Sequence, residues 1–302
     1  MSEARSDDPR PGGPHPDELL EDVAVVRARV DAQLDGVRCV LAVMSGKGGV
    51  GKSAVAVNLA VALARSGKRT ALLDADVNSP SLAKMLGLRG LPVRLQGDEL
   101  LPTPAAEGLV LQSMDFFLQG GQALSWEGIE GEGAHLRSVL EDAALADLLG
   151  RTRWGECDFL VVDLAPGADR IPALARVTGR IDGAIAVTIP TEVALLAVER
   201  SVRRAREARV PMVGLVENMG TAVCPHCHEE HALYREAPVE RAAADLGLPL
   251  LARVPFDPGL AASADRGEVF DPGGGSPAGR AFATLAEQAR SYEPPGPEGD
   301  SW

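Results

Sequence analysis

Short, almost continuously apolar runs alternate along this chain with longer segments whose apolar residues recur at helical spacing. The runs read as strands at 39–44, 69–74, 109–113, 158–163, 183–189, 212–217 and 250–254. The spaced segments read as helices near 52–66, 136–149, 170–178, 192–209, 238–246 and 279–291. Phe159-Leu160-Val161-Val162 and Ala184-Ile185-Ala186-Val187 lack polar alternation, as strands covered on both faces of a parallel sheet do. The order strand, helix, strand therefore predicts an α/β fold, with a mainly parallel twisted sheet and helices on both faces. A single domain is expected over 35–292, preceded by an amphipathic helix over 17–34 with Leu19, Leu20, Val23, Val26 and Val30 on one side. Residues 1–16 and 293–302 are polar and proline-rich and read as a disordered leader and tail.

Composition narrows the classes. Of 302 residues 45% are hydrophobic and 24% charged, the balance of a soluble globular protein. No apolar run approaches the roughly 18 residues a membrane span needs, and the N-terminus resembles neither a signal peptide nor a lipidation signal. A cytoplasmic location is expected. The net charge of -13 opposes broad attraction to nucleic acid or an anionic membrane, so neither is expected as a partner.

The strongest chemical signal lies between the first strand and its helix. Gly46, Gly51, Lys52 and Ser53 fit the spacing G-x-x-x-x-G-K-S/T, with Lys47, Gly48, Gly49 and Val50 between. Glycines there let backbone N–H groups turn toward phosphate oxygens, and the helix N-terminus adds its positive dipole end. Lys52 is then expected on the β- and γ-phosphates and Ser53 on Mg²⁺. In a parallel sheet ligands bind beyond the carboxyl ends of the strands, which directs attention to acids there. Asp74 and Asp76 close the second strand, where one orders an attacking water and the other supports the metal shell; Asp163 ends four apolar residues, as a Mg²⁺ carboxylate does. Gly167 is expected to present an N–H to the γ-phosphate. Asn218 follows another apolar strand, where its amide suits the edge of adenine and so points to ATP, although an ordinary turn asparagine fits the spacing equally.

Four cysteines in a chain without export signals are more often reduced, buried or metal-bound than paired in disulfides. Cys224 and Cys227 in Cys224-Pro225-His226-Cys227-His228-Glu229-Glu230-His231 can chelate one centre but fill only half of a four-ligand set. Cys39 and Cys157 begin strands at the opposite edge of the sheet. A symmetric dimer supplies four thiolates for one bridging cluster. Zinc held by the two cysteines and two of His226, His228 and His231 is the competing reading, and an inert pair the third.

Gly46-Lys47-Gly48-Gly49-Val50-Gly51-Lys52-Ser53 resembles the deviant phosphate loop of the MinD/ParA/nitrogenase-iron-protein group. That resemblance implies that Lys47 reaches the nucleotide of a partner subunit. With Leu73 to Ser81, Val210 to Met219 and the Cys224/Cys227 pair, the chain from about Asp35 to Ala289 resembles the Mrp/ApbC family of iron–sulfur cluster carrier ATPases. The resemblance implies a homodimer that binds and slowly hydrolyses ATP, holds a labile 4Fe-4S cluster at its interface and passes it from an assembly scaffold to apo-proteins. It implies Lys47, Lys52 and Asp76 as catalytic, Ser53, Asp74 and Asp163 as magnesium-binding, and Cys224 and Cys227 as cluster ligands. Ala165 where relatives have proline, Ala168-Asp169 after Gly167, and Glu127 where relatives have arginine depart from the pattern, and the N-terminal interaction domain of many bacterial members is not expected. A MinD/ParA-like positioning role finds support only in the arginine-rich helix Glu199 to Arg209, which reads as a solvated face.

Overall fold

A computed structural model describes residues 16–118, 133–224, 226–227, 229–234, 239–270 and 275–294, with the backbone alone for 16–23 and 133–137. Residues 1–15 of the expected leader, most of the tail, Glu127 and His228 lie outside the described residues, and Pro16 opens the first helix instead. The chain runs α1 (Pro16–Leu34), β1 (Val40–Ser45), α2 (Lys52–Arg65), β2 (Thr70–Ala75), α3 (Leu82–Met85), β3 (Arg94–Gln96), β4 (Glu99–Leu101), β5 (Thr103–Ala106) and β6 (Leu109–Ser113). It continues with α4 (Gly133–Arg151), β7 (Phe159–Leu164), α5 (Arg170–Thr178), β8 (Gly183–Thr188), α6 (Glu192–Glu207), β9 (Met212–Val223), β10 (Glu230–Ala232), α7 (Val239–Asp245), β11 (Leu250–Phe256), α8 (Pro258–Arg266) and α9 (Pro277–Ser291).

The main sheet has the order β10-β9-β8-β1-β7-β2-β6-β5, with β11 also paired to β9. Neighbours from β6 to β9, and β9 with β11, are parallel; β5 and β10 pair antiparallel at the two ends of that order. Central strands are buried along their whole length, so alternate residues feed two cores. Leu41 and Val43 of β1 join α2 and α9 on one face, while Val40, Ala42 and Met44 join α4, α5 and α6 on the other. Burying one such side chain contributes about 1.5–3 kcal/mol, so covering both faces is what fixes β1 at the sheet centre.

All seven strands and seven helices read from the sequence are present, and β9 extends past its expected end at 217 to Val223. β3 and β4, which pair with each other, and β5, which pairs with the expected β6, are strands the hydrophobic pattern did not reveal. Strands of three or four residues that carry exposed positions and Pro104 leave little alternation to read.

Candidate functional site

The loop from β1 to α2 is shaped by contacts that exclude side chains. A Cβ on Gly46 would lie 2.2 Å from the Ala197 backbone of α6. One on Gly51 would lie 2.1 Å from Asn218 Nδ2, and Gly51 itself has φ of 79°, the left-handed region that favours glycine. The Ser45 hydroxyl donates to the Lys47 carbonyl, and Asn218 Nδ2 donates to the Val50 carbonyl at 2.8 Å. The N-cap of α2 is Gly51, which makes no side-chain cap, and a helix start of this kind leaves its leading N–H groups for an anion such as phosphate.

Lys52, the first residue of α2, points into the sheet's carboxyl edge. Its Nζ lies 2.5 Å from Asp163 Oδ1 and 3.2 Å from Ser53 Oγ, and both charged side chains are almost fully buried. Asp74 and Asp163 are neighbours on β2 and β7, two carboxylates side by side beneath the loop. Burial, then the Asp163 charge, pushes Asp74 up to about 7 despite hydrogen bonds from the N–H groups of Ser81 and Leu82 and the Ser113 hydroxyl. Burial also raises Asp163, against the opposing pull of Lys52. Asp74 Oδ1 and Asp163 Oδ2 are buried and, among the described residues, have no hydrogen-bond partner. Two orphaned carboxyl oxygens beside a serine hydroxyl form a hard-oxygen donor set, which fits a magnesium ion bound through one or two carboxylates.

Asp76 stands at the rim, half-buried, with Oδ1 accepting from the Ser79 N–H. It lines a cavity of about 20 Å³, room for about one water, together with Asn78, Glu141, Ala165 and Arg170. Glu141 of α4, which no motif marked, accepts from Asn78 Nδ2 at 2.6 Å and pairs with Arg170 at 2.5 Å. One buried carboxylate thus ties the segment after Asp76 to the segment after Gly167. The Gly167 N–H donates to the Ser45 carbonyl. Lys47 is half-buried, and among the described residues its ammonium has no side-chain partner.

Beyond Asn218, β9 continues to a hairpin whose tip carries the cysteine pair. Cys224 N–H donates to the Glu229 carbonyl, and Ala222 pairs with His231, which closes the turn. Backbone N–H groups of Cys227 and His226, then the Cys227 thiol, hydrogen-bond the Cys224 sulfur and hold its pKa below the usual thiol range. The pair is half-buried at Cys224 and exposed at Cys227, the arrangement of an accessible ligand pair rather than of a core thiol. Cys39 and Cys157 differ: both are buried at the amino ends of β1 and β7, where burial pushes their thiols up to about 12 and about 11. In the arginine-rich helix, Arg204 pairs with Asp169 and Glu207, and Arg206 binds the Leu246 carbonyl, so part of that charge is engaged within the chain.

Residues 36–290 match the ParA family in the form described as NUBPL iron-transfer P-loop NTPase. The chain is 35% identical over 252 residues to an iron-sulfur cluster carrier protein of Saccharolobus solfataricus, covering 83% of this chain and 82% of that one. A protein of Deinococcus radiodurans with the same description is 39% identical over 251 residues, covering 83% and 68%. A cytosolic Fe-S cluster assembly factor NUBP1 homolog of Brugia malayi is 36% identical over 249 residues, covering 80% and 77%. Among solved structures, a nucleotide-binding protein of Archaeoglobus fulgidus in complex with ADP superposes with a TM-score of 0.69 at 31% identity, over 80% of this chain and 92% of that one. MinD of Pyrococcus horikoshii with Mg-ADP, at 22% identity and a TM-score of 0.60 over 84% and 96%, shares the fold. The chain belongs to the ParA-type P-loop NTPases of the NUBPL iron-transfer family.

Proposed function

We propose that the protein is an ATP-dependent iron–sulfur cluster carrier. Two copies bind ATP, hold a 4Fe-4S cluster between their Cys224 and Cys227 pairs, hydrolyse ATP slowly, and pass the cluster from an assembly scaffold to apo-proteins. One observation carries the reading: β9 itself links the two sites, since Asn218 within it holds the phosphate loop and Cys224 directly follows its last residue, Val223. The names of the relatives, iron-sulfur cluster carriers and a cluster assembly factor, support the cargo. Exposed apolar side chains of Val193 and Leu196 on α6, and of Leu233 and Phe256 near the hairpin, support a partner surface.

In the free protein the Lys52 ammonium is engaged with Asp163. Entering phosphates draw it away, which frees the Asp163 carboxylate. Ser53, Asp163 and Asp74 would hold Mg²⁺, which when bound neutralises charge on the phosphate oxygens. Asp76 orders the attacking water, and the Gly167 N–H leaves Ser45 for the γ-phosphate. Lys47 neutralises the nucleotide of the partner subunit, and the remaining Asn218 amide hydrogen serves adenine. The contribution is mainly positioning and electrostatics. A cytoplasmic setting accords with this reading; no described helix is long and apolar enough to cross a membrane.

Anaerobic reconstitution with iron and sulfide tests the proposal. Cys224→Ala and Cys227→Ala should lose the brown chromophore and the iron while keeping ATP binding, and wild type should activate an apo iron–sulfur enzyme. Retention of the full iron content by both variants overturns it.

A further inference from the structure

We propose that each subunit, alone, also carries a mononuclear site for a divalent ion of the zinc class, with Cys227, Glu229 and His231 as ligands and Cys224 as the fourth. The inference builds on the carrier reading only in sharing its two cysteines; it needs no second chain.

Successive side chains on an extended segment point to opposite sides, so Glu229 and His231 share one side. Glu230, between them, points the other way, where its carboxylate accepts from the Thr221 hydroxyl at 2.6 Å. Cys227 reaches the same side through the turn, and its sulfur lies 3.7 Å from Glu229 Oε2. One ligand atom from each of Cys227, Glu229 and His231 lies within 4.8 Å of the other two. In a tetrahedral zinc site with bonds of about 2.0–2.3 Å, ligand atoms sit roughly 3.3–3.8 Å apart. A contraction of about an ångström closes the set, and the three side chains are exposed, so rotamer changes suffice. Cys224 stands outside that group of three, and it would swing in from beside the Cys227 thiol as the fourth donor. The backbone bond from Cys224 N–H to the Glu229 carbonyl holds the two ends of the loop together.

Two thiolates, an imidazole and a carboxylate form a borderline set that suits zinc. A second subunit adds two further thiolates. The site therefore has two closures: His231 and Glu229 complete it within one chain, and the partner's cysteines complete it for a cluster. A zinc-class ion then competes with cluster assembly at the level of the single chain.

Titration of metal-free, nucleotide-free protein with Co²⁺ under anaerobic conditions reads this directly, because tetrahedral cobalt with thiolate ligands absorbs in the visible. One Co²⁺ per chain is expected. His231→Ala and Glu229→Ala should shift the visible bands and weaken affinity by at least about tenfold, while both variants still form the brown cluster with iron and sulfide. A stoichiometry of one Co²⁺ per two chains, or wild-type bands and affinity in both variants, overturns the proposal. If wild type binds one Co²⁺ per chain yet forms no cluster, this site stands and the carrier reading falls. Circular dichroism of the two variants checks that each retains the fold.

Discussion

Asn218 and Val50, 168 residues apart in sequence, are joined by a 2.8 Å hydrogen bond from the side-chain amide to the loop carbonyl. This bond ties the middle of β9 to the phosphate loop. Asn218→Ala leaves that carbonyl without its partner and should cost about 1–3 kcal/mol of stability, with weaker ATP binding. Urea denaturation and calorimetric titration with ATP check both effects.

Gly51→Ala meets the same amide at 2.1 Å and takes on a left-handed φ. Loss of detectable nucleotide binding is expected, together with a stability loss of at least about 1 kcal/mol from backbone conformation alone. Thermal unfolding with and without ATP measures it: wild type should be stabilised by the nucleotide and the variant should not.

Removing Asp163 strands a buried ammonium. In Asp163→Ala, Lys52 keeps only Ser53 and the more distant Asp74 charge, so nucleotide-free stability should fall by about 3–5 kcal/mol. The double variant with Lys52→Met should recover much of that loss, and denaturation of the two variants in parallel decides it.

Asp74 makes stability depend on pH in an unusual direction for a carboxylate. Its folded-state pKa is about 7 against an ordinary 3.8, so the folded protein binds the extra proton. Stability from this group is present below the ordinary value and is lost as pH rises through about 7. Nucleotide-free protein should therefore lose stability between about pH 4 and pH 7, with Asp163 acting in the same direction, and Asp74→Asn should flatten the slope. Chemical denaturation across that range is the measurement.

Glu141 joins Asn78 to Arg170, and thus the two segments that flank the water-sized cavity beside Asp76. Glu141→Ala should lower kcat by about ten- to a hundredfold with little change in ATP affinity, because it acts on the position of Asp76 and the Gly167 loop. Glu141→Gln should recover part of the rate through the Asn78 bond. Phosphate release at saturating ATP distinguishes these outcomes from a general loss of stability.

The sequence disclosed those parts in which two local signals coincide. An apolar strand, a glycine-spaced loop and an amphipathic helix together marked Gly46 to Ser53, and acids after apolar runs marked Asp74 and Asp163. What a side chain touches across the fold was not legible: Asn218 could be placed at a strand end, but its partner Val50 belongs to a different part of the chain. Glu141 looked like one more acid on a helix, since its partners come from two other elements. β10 escaped because its three residues are all exposed and carry no apolar alternation. The hairpin it forms is what brings His231 and Glu229 beside Cys227.

Shared possession of one cluster by two chains is the claim on which the functional account turns. Native mass spectrometry of the anaerobically reconstituted protein, with ATP present, weighs it directly. The account predicts a species of two chains plus one 4Fe-4S cluster, absent from Cys224→Ala and Cys227→Ala. A reconstituted protein that flies as single chains, each with its own iron or with none, would contradict it.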